Sequence, residues 1–515
     1  MTPRKIGWAL FWCAFLASIA LESGELSSWD AANRLQVTRW IWTAEPQVRD
    51  QNGWFGIYGR NHEKFAWYGL GQSLWMSPAY LLASRVAPLV SADRTRAEKI
   101  EETLVTYLTF PLTAALALTA LFALLLRLDF DAAVAGLSSL AAFWCTSLLP
   151  YTQTKQENSL LLLCTLTSMW AVAAGVKTGR YKWWALAGFA AGFGLLTRLT
   201  FVFDVGAVTL LGAGLIFFTG QKAWRLDWRY WMPRVMVAGL VCSVFVLVDR
   251  IYQFYRFESW TSTYYDIIFA QRSDVVAPGD IRIGFPALAW SVKYNIWQFD
   301  PLALLGLIAV PVWWRSLNWG ARSFGVIAAL LLAVYLVFYS STHDQFDGAA
   351  AWGCRYVTTP MVLLGAFGVA ATLSCRHRLR PWFCRFALVL AAVALAVQLL
   401  STVLWYNLEE KQQIEHLGAS ESMVVLRAQN AAALATGRWK EWNLLPSGDS
   451  KRLRTPNFFP FLAAKYLPKN ARLTLELLWA VIAVTTLALN LKLFLKLRAE
   501  LATQSSWQHS PVVSG

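Results

Sequence analysis

Asp30 and Arg34 stand four residues apart in SSWDAANRLQVTRW (27–40), so one helix face would present a carboxylate and a guanidinium together. Four further stretches carry similar chemistry. GRNHEKFAWYGLGQSLWMSP (59–78) joins His62, Glu63 and Lys64 to an aromatic, glycine-containing turn that holds Tyr68. LLPYTQTKQENSLLLL (148–163) sets Lys155 and Glu157 at the lip between two apolar runs. GLLTRLTF (194–201) places Arg198 between two more, and HDQFDGAAAWGCRYVTTP (343–360) brings Arg355 and Tyr356 to the start of another. A positioned carboxylate can take a proton from a nucleophile, and cationic side chains can hold a phosphate and the charge developing on it.

Each residue alone has a plainer role. Arg198 could snorkel to a membrane interface, Glu157 could cap the helix that starts near Asn158, and Asp30 could form a surface ion pair with Arg34. His62 and Glu63 read as solvated or structural. His343 with Asp344 and Asp347 is too loosely spaced for a recognisable metal site. The coincidence of carboxylates and cations on one side of a membrane is the informative feature, because it suits a substrate that is both anionic and lipid-bound.

The elements that must position these groups are membrane helices. The 515 residues are 57% hydrophobic, with a mean hydropathy of +0.41, too apolar for a soluble enzyme of this length. Apolar runs occur near 6–21, 71–90, 103–126, 132–150, 158–176, 183–199, 201–219, 235–251, 301–314, 323–340, 357–374, 383–405 and 473–495, most close to the ~20 residues a crossing needs. The net charge of +15 gathers in short loops at 177–182, 221–234 and 375–385, which is the positive-inside pattern and argues against nucleic-acid binding. With all thirteen runs crossing, those loops would fall outside. The run 71–90 carries Arg85 and several polar residues, so it reads as a helix lying along the outer surface. The fold class is then all-α polytopic, with about twelve crossings, both termini cytoplasmic and juxtamembrane helices on the outer face. Arg4 and Lys5 before the first run leave room for a cleaved signal, but the many later runs need none. The seven cysteines contain no CxxC pair and suggest neither a disulfide framework nor a metal knuckle. The organisation expected is a transmembrane catalytic module at 1–406 including an outer loop at 22–102, an outer-face cap or loop at 407–472, and a last crossing with a cytoplasmic tail at 473–515.

The order of these motifs resembles the GT-C superfamily of polyprenyl-phosphate-sugar-dependent glycosyltransferases, in particular bacterial relatives of protein O-mannosyltransferases and of lipid A aminoarabinose transferases. Asp30 matches that superfamily's acid in the first outer loop, and Tyr68 through Ser73 with Pro78 match its YGxGQS run and surface helix. Glu157 after Tyr151, GFAAGFGLLTR ending at Arg198, and Trp352, Gly353, Arg355 and Tyr356 follow in order, so the likeness spans roughly residues 1–375. Two departures concern the acids: Ala31 follows Asp30 where a second acid is usual in the mannosylating branch, and Glu157 replaces the commoner aspartate.

The resemblance implies transfer of a sugar from a lipid-phosphate carrier to a lipid, glycan or protein acceptor on the outer face of the cytoplasmic membrane. Asp30 would be the base, with Glu157 as a second catalytic acid. Arg34, Lys64, Tyr68, Lys155, Arg198, Arg355 and Tyr356 would bind substrate. Inversion at the anomeric carbon is expected, and a divalent metal near Asp30 is left open. The competing expectation is a transporter or flippase of a lipid-linked sugar, which would place its ionisable residues at the bilayer midplane and often show internal repeats.

Overall fold

The computed structural model describes the chain except residues 27, 220–227, 273–277, 343–350, 417–418, 439–454, 463–468 and 508–515. It is an all-α polytopic membrane protein. Helix α1 (Pro3–Leu21) starts with Thr2 capping the Lys5 amide and Pro3 in the first turn, and buries Leu10, Ala14 and Ala17. It packs on α4 (Arg94–Arg127), whose preceding helices α2 (Trp29–Trp42) and α3 (Gly71–Val90) carry the first polar motifs.

Helices α5 (Ala132–Trp144) and α6 (Leu148–Thr154) form one apolar run bent by 50°. The bend leaves the Ser147 amide free, and Asp300 accepts it at 2.6 Å. Next come α7 (Asn158–Thr178), α8 (Tyr181–Thr197), α9 (Val202–Thr219) and α10 (Trp228–Phe257). Three short helices, α11 (Tyr264–Gln271), α12 (Ile281–Trp290) and α13 (Ile296–Phe299), lead to α14 (Leu302–Trp313), α15 (Trp319–Thr342), α16 (Thr358–Ser374) and α17 (Pro381–Val403). The C-terminal part holds α18 (Leu408–Glu415), α19 (Met423–Thr436), α20 (Phe459–Leu462) and the long α21 (Lys469–Trp507), which returns to α1 and α5.

Among the described residues nine helices are long and apolar enough to cross a bilayer, and the bent α5–α6 pair makes a tenth. The twelve runs expected from sequence are all helical. The two that fall outside this count are α8 and α14, at 17 and 12 residues. Leu240, Val244 and Leu247 on α10 and Val481, Val484 and Leu487 on α21 are exposed apolar side chains, as lipid-facing positions require.

The segment 71–90 is a 20-residue helix that is not among the crossing helices, as expected, and Arg85, Leu82 and Leu89 on it are exposed. Its other face is held by protein. Gln72, Ser73, Met76, Ser77, Tyr80 and Ala83 are buried, and the helix packs on α2, α4 and α8. Its buried polar residues serve protein contacts: Ser73 Oγ donates to the Arg34 carbonyl at 2.9 Å, and Thr38 Oγ1 donates to the Ser73 carbonyl at 3.0 Å.

Candidate active site

Ser28 caps α2 by accepting the Ala31 amide at 3.1 Å, which fixes Asp30 in the first helical turn. Both Asp30 oxygens are engaged. Tyr68 donates its hydroxyl to Oδ1 at 2.7 Å, and Arg355 donates Nη1 to Oδ2 at 2.5 Å. One turn along α2, Arg34 donates to Glu157 Oε2 at 2.5 Å, with its guanidinium 4.3 Å from the Tyr68 ring centre. The plainer alternative, a surface ion pair between Asp30 and Arg34, is not what forms: Asp30 pairs with Arg355 and Arg34 with Glu157.

Arg198 donates to the second Glu157 oxygen at 3.2 Å and lies 4.5 Å from the Tyr356 ring centre. Tyr356 stacks on Tyr339 at 3.9 Å, and Arg355 lies 5.4 Å from the Tyr356 ring on its own side. Three guanidiniums and two carboxylates thus form a ring, closed through Tyr68 and Tyr356. The excess of cation over acid suits it to an anion. The Nε–H groups of Arg34 and Arg355 are buried without a hydrogen-bond partner, which leaves donor capacity in the ring.

The supporting backbone is tightly specified. The YGLGQS run crosses the turn between α8 and α9, and a Cβ at Gly71 would collide with Thr197. Lys155 adopts φ +59° between α6 and α7, which turns the chain so that Glu157 sits at the N-cap of α7. The Arg355 carbonyl accepts from Thr358 Oγ1 at 2.8 Å and from the Asn158 amide group.

The electrostatics follow from this ring. Burial would raise the Glu157 carboxyl, but Arg34, Arg198 and Arg355 outweigh it and hold it well below the usual carboxylate range. Burial would likewise raise Asp30, and Glu157 adds to that, yet Arg355 and Arg34 bring it below its ordinary value. Burial and the nearby Asp30 charge push the Tyr68 phenol well up, so it stays a hydrogen-bond donor.

Of the residues expected from sequence, Asp30, Arg34, Tyr68, Glu157, Arg198, Arg355 and Tyr356 come together. Two others are placed elsewhere. Lys155 is fully buried in an ion pair with Glu22 at 2.6 Å and donates to Ser23 and to the Glu25 carbonyl, so it ties the end of α1 to the α6–α7 turn. Lys64 lies in a hairpin of β1 (Ile57–Tyr58) and β2 (Lys64–Phe65), donates to the Gly53 carbonyl at 2.5 Å, and sits 5.2 Å from the Tyr58 ring centre. His62 and Glu63 are exposed in that hairpin. His343, Asp344 and Asp347 lie outside the described residues.

No set of three or more His, Cys, Asp or Glu side chains among the described residues could hold a metal. Among the described residues the neighbours of Asp30 are guanidiniums, Glu157 and a phenol, a set poor in metal ligands. Tyr339, Asn158 and Asp204 were not foreseen. The first and last lie inside apolar runs, where a polar side chain is itself the signal. Asp204 accepts from Thr165 Oγ1 at 2.8 Å and from the Tyr335 hydroxyl.

Residues 100–248 match the family model of dolichyl-phosphate-mannose-protein mannosyltransferases. Curated proteins compared by sequence give no match. Among solved structures, the chain is similar to ArnT from Cupriavidus metallidurans bound to undecaprenyl phosphate, at 13% identity and a TM-score of 0.44, over 96% of this chain and 77% of that one. It is also similar to the Archaeoglobus fulgidus oligosaccharyltransferase in complex with Zn and sulfate, at 12% identity and a TM-score of 0.39, over 88% of this chain and 59% of that one. The family-model match, falling between the motifs quoted above and across two of them, supports the resemblance to GT-C glycosyltransferases.

Proposed function

We propose that this protein transfers a sugar from a polyprenyl-phosphate carrier to an acceptor hydroxyl, at the outer face of the cytoplasmic membrane and with inversion. The observation that carries the reading is the ring itself. A carboxylate with access to solvent, Asp30, is hydrogen-bonded to one of three guanidiniums that together outnumber the acids.

The chemistry divides among these groups. The acceptor oxygen attacks the anomeric carbon and its proton passes to Asp30, a step in which a positioned base contributes ~10²–10⁴-fold. The bond from the anomeric carbon to the phosphate oxygen breaks, and its electron pair stays on the phosphate. Arg355 and Arg198 receive that charge, as cationic clamps do in phosphate chemistry. No general acid is needed for such a leaving group. Glu157, shared between Arg34 and Arg198, keeps those guanidiniums aimed and does not carry a proton.

In the free protein Arg355 is occupied by Asp30. An arriving phosphate competes for this guanidinium, and drawing it across would release Asp30 to act as base. The donor would thereby switch on the base that activates its attacker.

The test is sugar transfer by the purified full-length protein in lipid nanodiscs, supplied with synthetic polyprenyl-phosphate sugars and followed by release of polyprenyl phosphate. Flipping of the lipid-linked sugar across vesicles, with no release from any donor, would replace this reading with the transporter.

A further inference from the structure

The segment after residue 407 lies beyond both the motif resemblance and the family-model match, yet it contains a fully enclosed ion pair. Arg427 on α19 grips Glu409 on α18 with both arms of its fork, Nε to Oε1 at 2.6 Å and Nη2 to Oε2 at 2.5 Å. Its remaining donors go to the carbonyls that end α17, Ser401 at 2.7 Å, Leu404 at 3.1 Å and Trp405 at 2.9 Å. Asn430 adds a bond to Glu409 at 2.8 Å. Neither charged side chain has any solvent exposure, so this guanidinium is closed to a substrate.

The Arg427 guanidinium lies 4.9 Å from the centre of the Trp352 ring. Trp352 is buried among Phe299, Val397 and Met423, edge-on to Phe299 at 5.2 Å, and its carbonyl accepts the Tyr151 hydroxyl at 3.1 Å. The next residue, Gly353, has φ +70°, and a Cβ there would strike the Phe299 ring. Two residues later comes Arg355.

We infer that Arg427 and Glu409 are positioning residues for the active site: their buried fork clamps Trp352, and the clamped Trp352–Gly353 turn sets where the Arg355 guanidinium projects. This rests on Arg355 being a ligand of the donor phosphate. A bidentate ion pair with every donor satisfied has one geometry, whereas an apolar contact of the same volume tolerates sliding. The C-terminal helices are thus a brace for a cation three residues downstream of the indole they hold.

Removing Arg427 alone would strand a buried carboxylate and threaten the fold, so two gentler variants of the full-length protein carry the test. Arg427→Met/Glu409→Met removes both charges at similar volume, and Trp352→Phe keeps an aromatic ring against Phe299 while shrinking the face offered to Arg427. Hydrogen exchange of residues 351–357 should accelerate in both by more than that of helices remote from the clamp, such as α9, whatever the freed carbonyls of Ser401, Leu404 and Trp405 do to the unfolding temperature. The donor KM should rise about ten-fold while the acceptor KM holds, a split that general destabilisation would not produce. Unchanged exchange at 351–357 overturns the clamp. Faster exchange with an unchanged donor KM overturns its link to Arg355. If the wild-type protein transfers sugar from no polyprenyl-phosphate donor, the functional reading fails instead, and the exchange data alone decide whether the clamp holds the turn.

Discussion

Two buried clusters of charge in this chain are built to opposite specifications. In the Arg427–Glu409 pair every guanidinium donor is used, the charges balance and both side chains are fully enclosed. Around Asp30 and Arg355 the side chains keep 21% and 16% of their exposure, guanidiniums outnumber carboxylates, and two Nε–H groups lack partners. A closed cluster can only hold the chain together. An incomplete one near solvent costs stability and is kept where a ligand completes it, so the degree of satisfaction separates brace from site more clearly than burial or charge does.

The largest effect expected from that contrast is on turnover. Asp30→Asn keeps the size and the Tyr68 contact but cannot accept a proton, so sugar transfer should fall at least ~10²-fold. Its unfolding temperature should fall less than that of a variant that breaks the enclosed pair, since Asp30 and Arg355 keep access to solvent. Near-normal turnover would remove Asp30 as the base and the distinction with it.

The closed cluster should answer in the other currency. Arg427→Ala leaves Glu409 buried and unpaired, and breaking such a pair costs about 3–5 kcal/mol of stability. Thermal unfolding in nanodiscs reads it directly. A loss smaller than that of Asp30→Asn would mean that the two clusters do not differ in kind.

A finer separation comes from Arg355→Lys. A lysine keeps the charge but cannot grip two phosphate oxygens in a plane. Donor KM should rise, by more in Arg355→Ala, where breaking a desolvated charged contact costs ~2–5 kcal/mol. Full activity in Arg355→Lys would reduce Arg355 to a partner that neutralises Asp30.

Much of this was legible in the sequence, and the gaps have physical causes. Apolar runs in a bilayer must be helical, so the twelve runs all appear as helices, nine of them and one bent pair long and apolar enough to cross, and the order of short motifs singled out seven residues that meet in the ring. Lys155 and Lys64 were expected beside them because a cation's type and position say nothing about its partner. Lys155 is taken by Glu22, an acid at the end of the first apolar run, through a contact 133 positions apart in sequence. For 71–90, an arginine and polar side chains were read as a sign of the water interface. Arg85 is exposed, in keeping with that reading, whereas Ser73 bonds to the Arg34 carbonyl, a protein contact that periodicity does not reveal. The brace was invisible for a related reason: Arg427, Glu409 and Trp352 become a unit only once α17 has brought 352 and 427 together.

The smallest effect, and the most discriminating, is on pH dependence. Asp30 and Glu157 are both held below the ordinary carboxylate range of ~3.9–4.3 because nearby arginines outweigh their burial. A carboxylate depressed in the folded state contributes stability that is fully present above its unfolded pKa and is lost as pH falls through its folded value. The ring's contribution to stability should therefore be flat from neutral pH down to about pH 5, and lost only in stronger acid. Catalysis adds a second reading. The acid limb of kcat/KM belongs to the free enzyme and should lie below the ordinary carboxylate range, while the limb of kcat belongs to the donor complex. If phosphate draws Arg355 away, Asp30 keeps its burial but loses its strongest cation, and the limb of kcat should stand higher than that of kcat/KM. The Arg34 charge and the Tyr68 hydrogen bond still favour the ionised Asp30 in that state and oppose the rise. Coincident limbs would show that Arg355 stays on Asp30 throughout turnover. The donor phosphate would then have to be held by Arg198 and Arg34, and the Asp30–Arg355 pair would belong with the closed cluster at Arg427 as a structural bond.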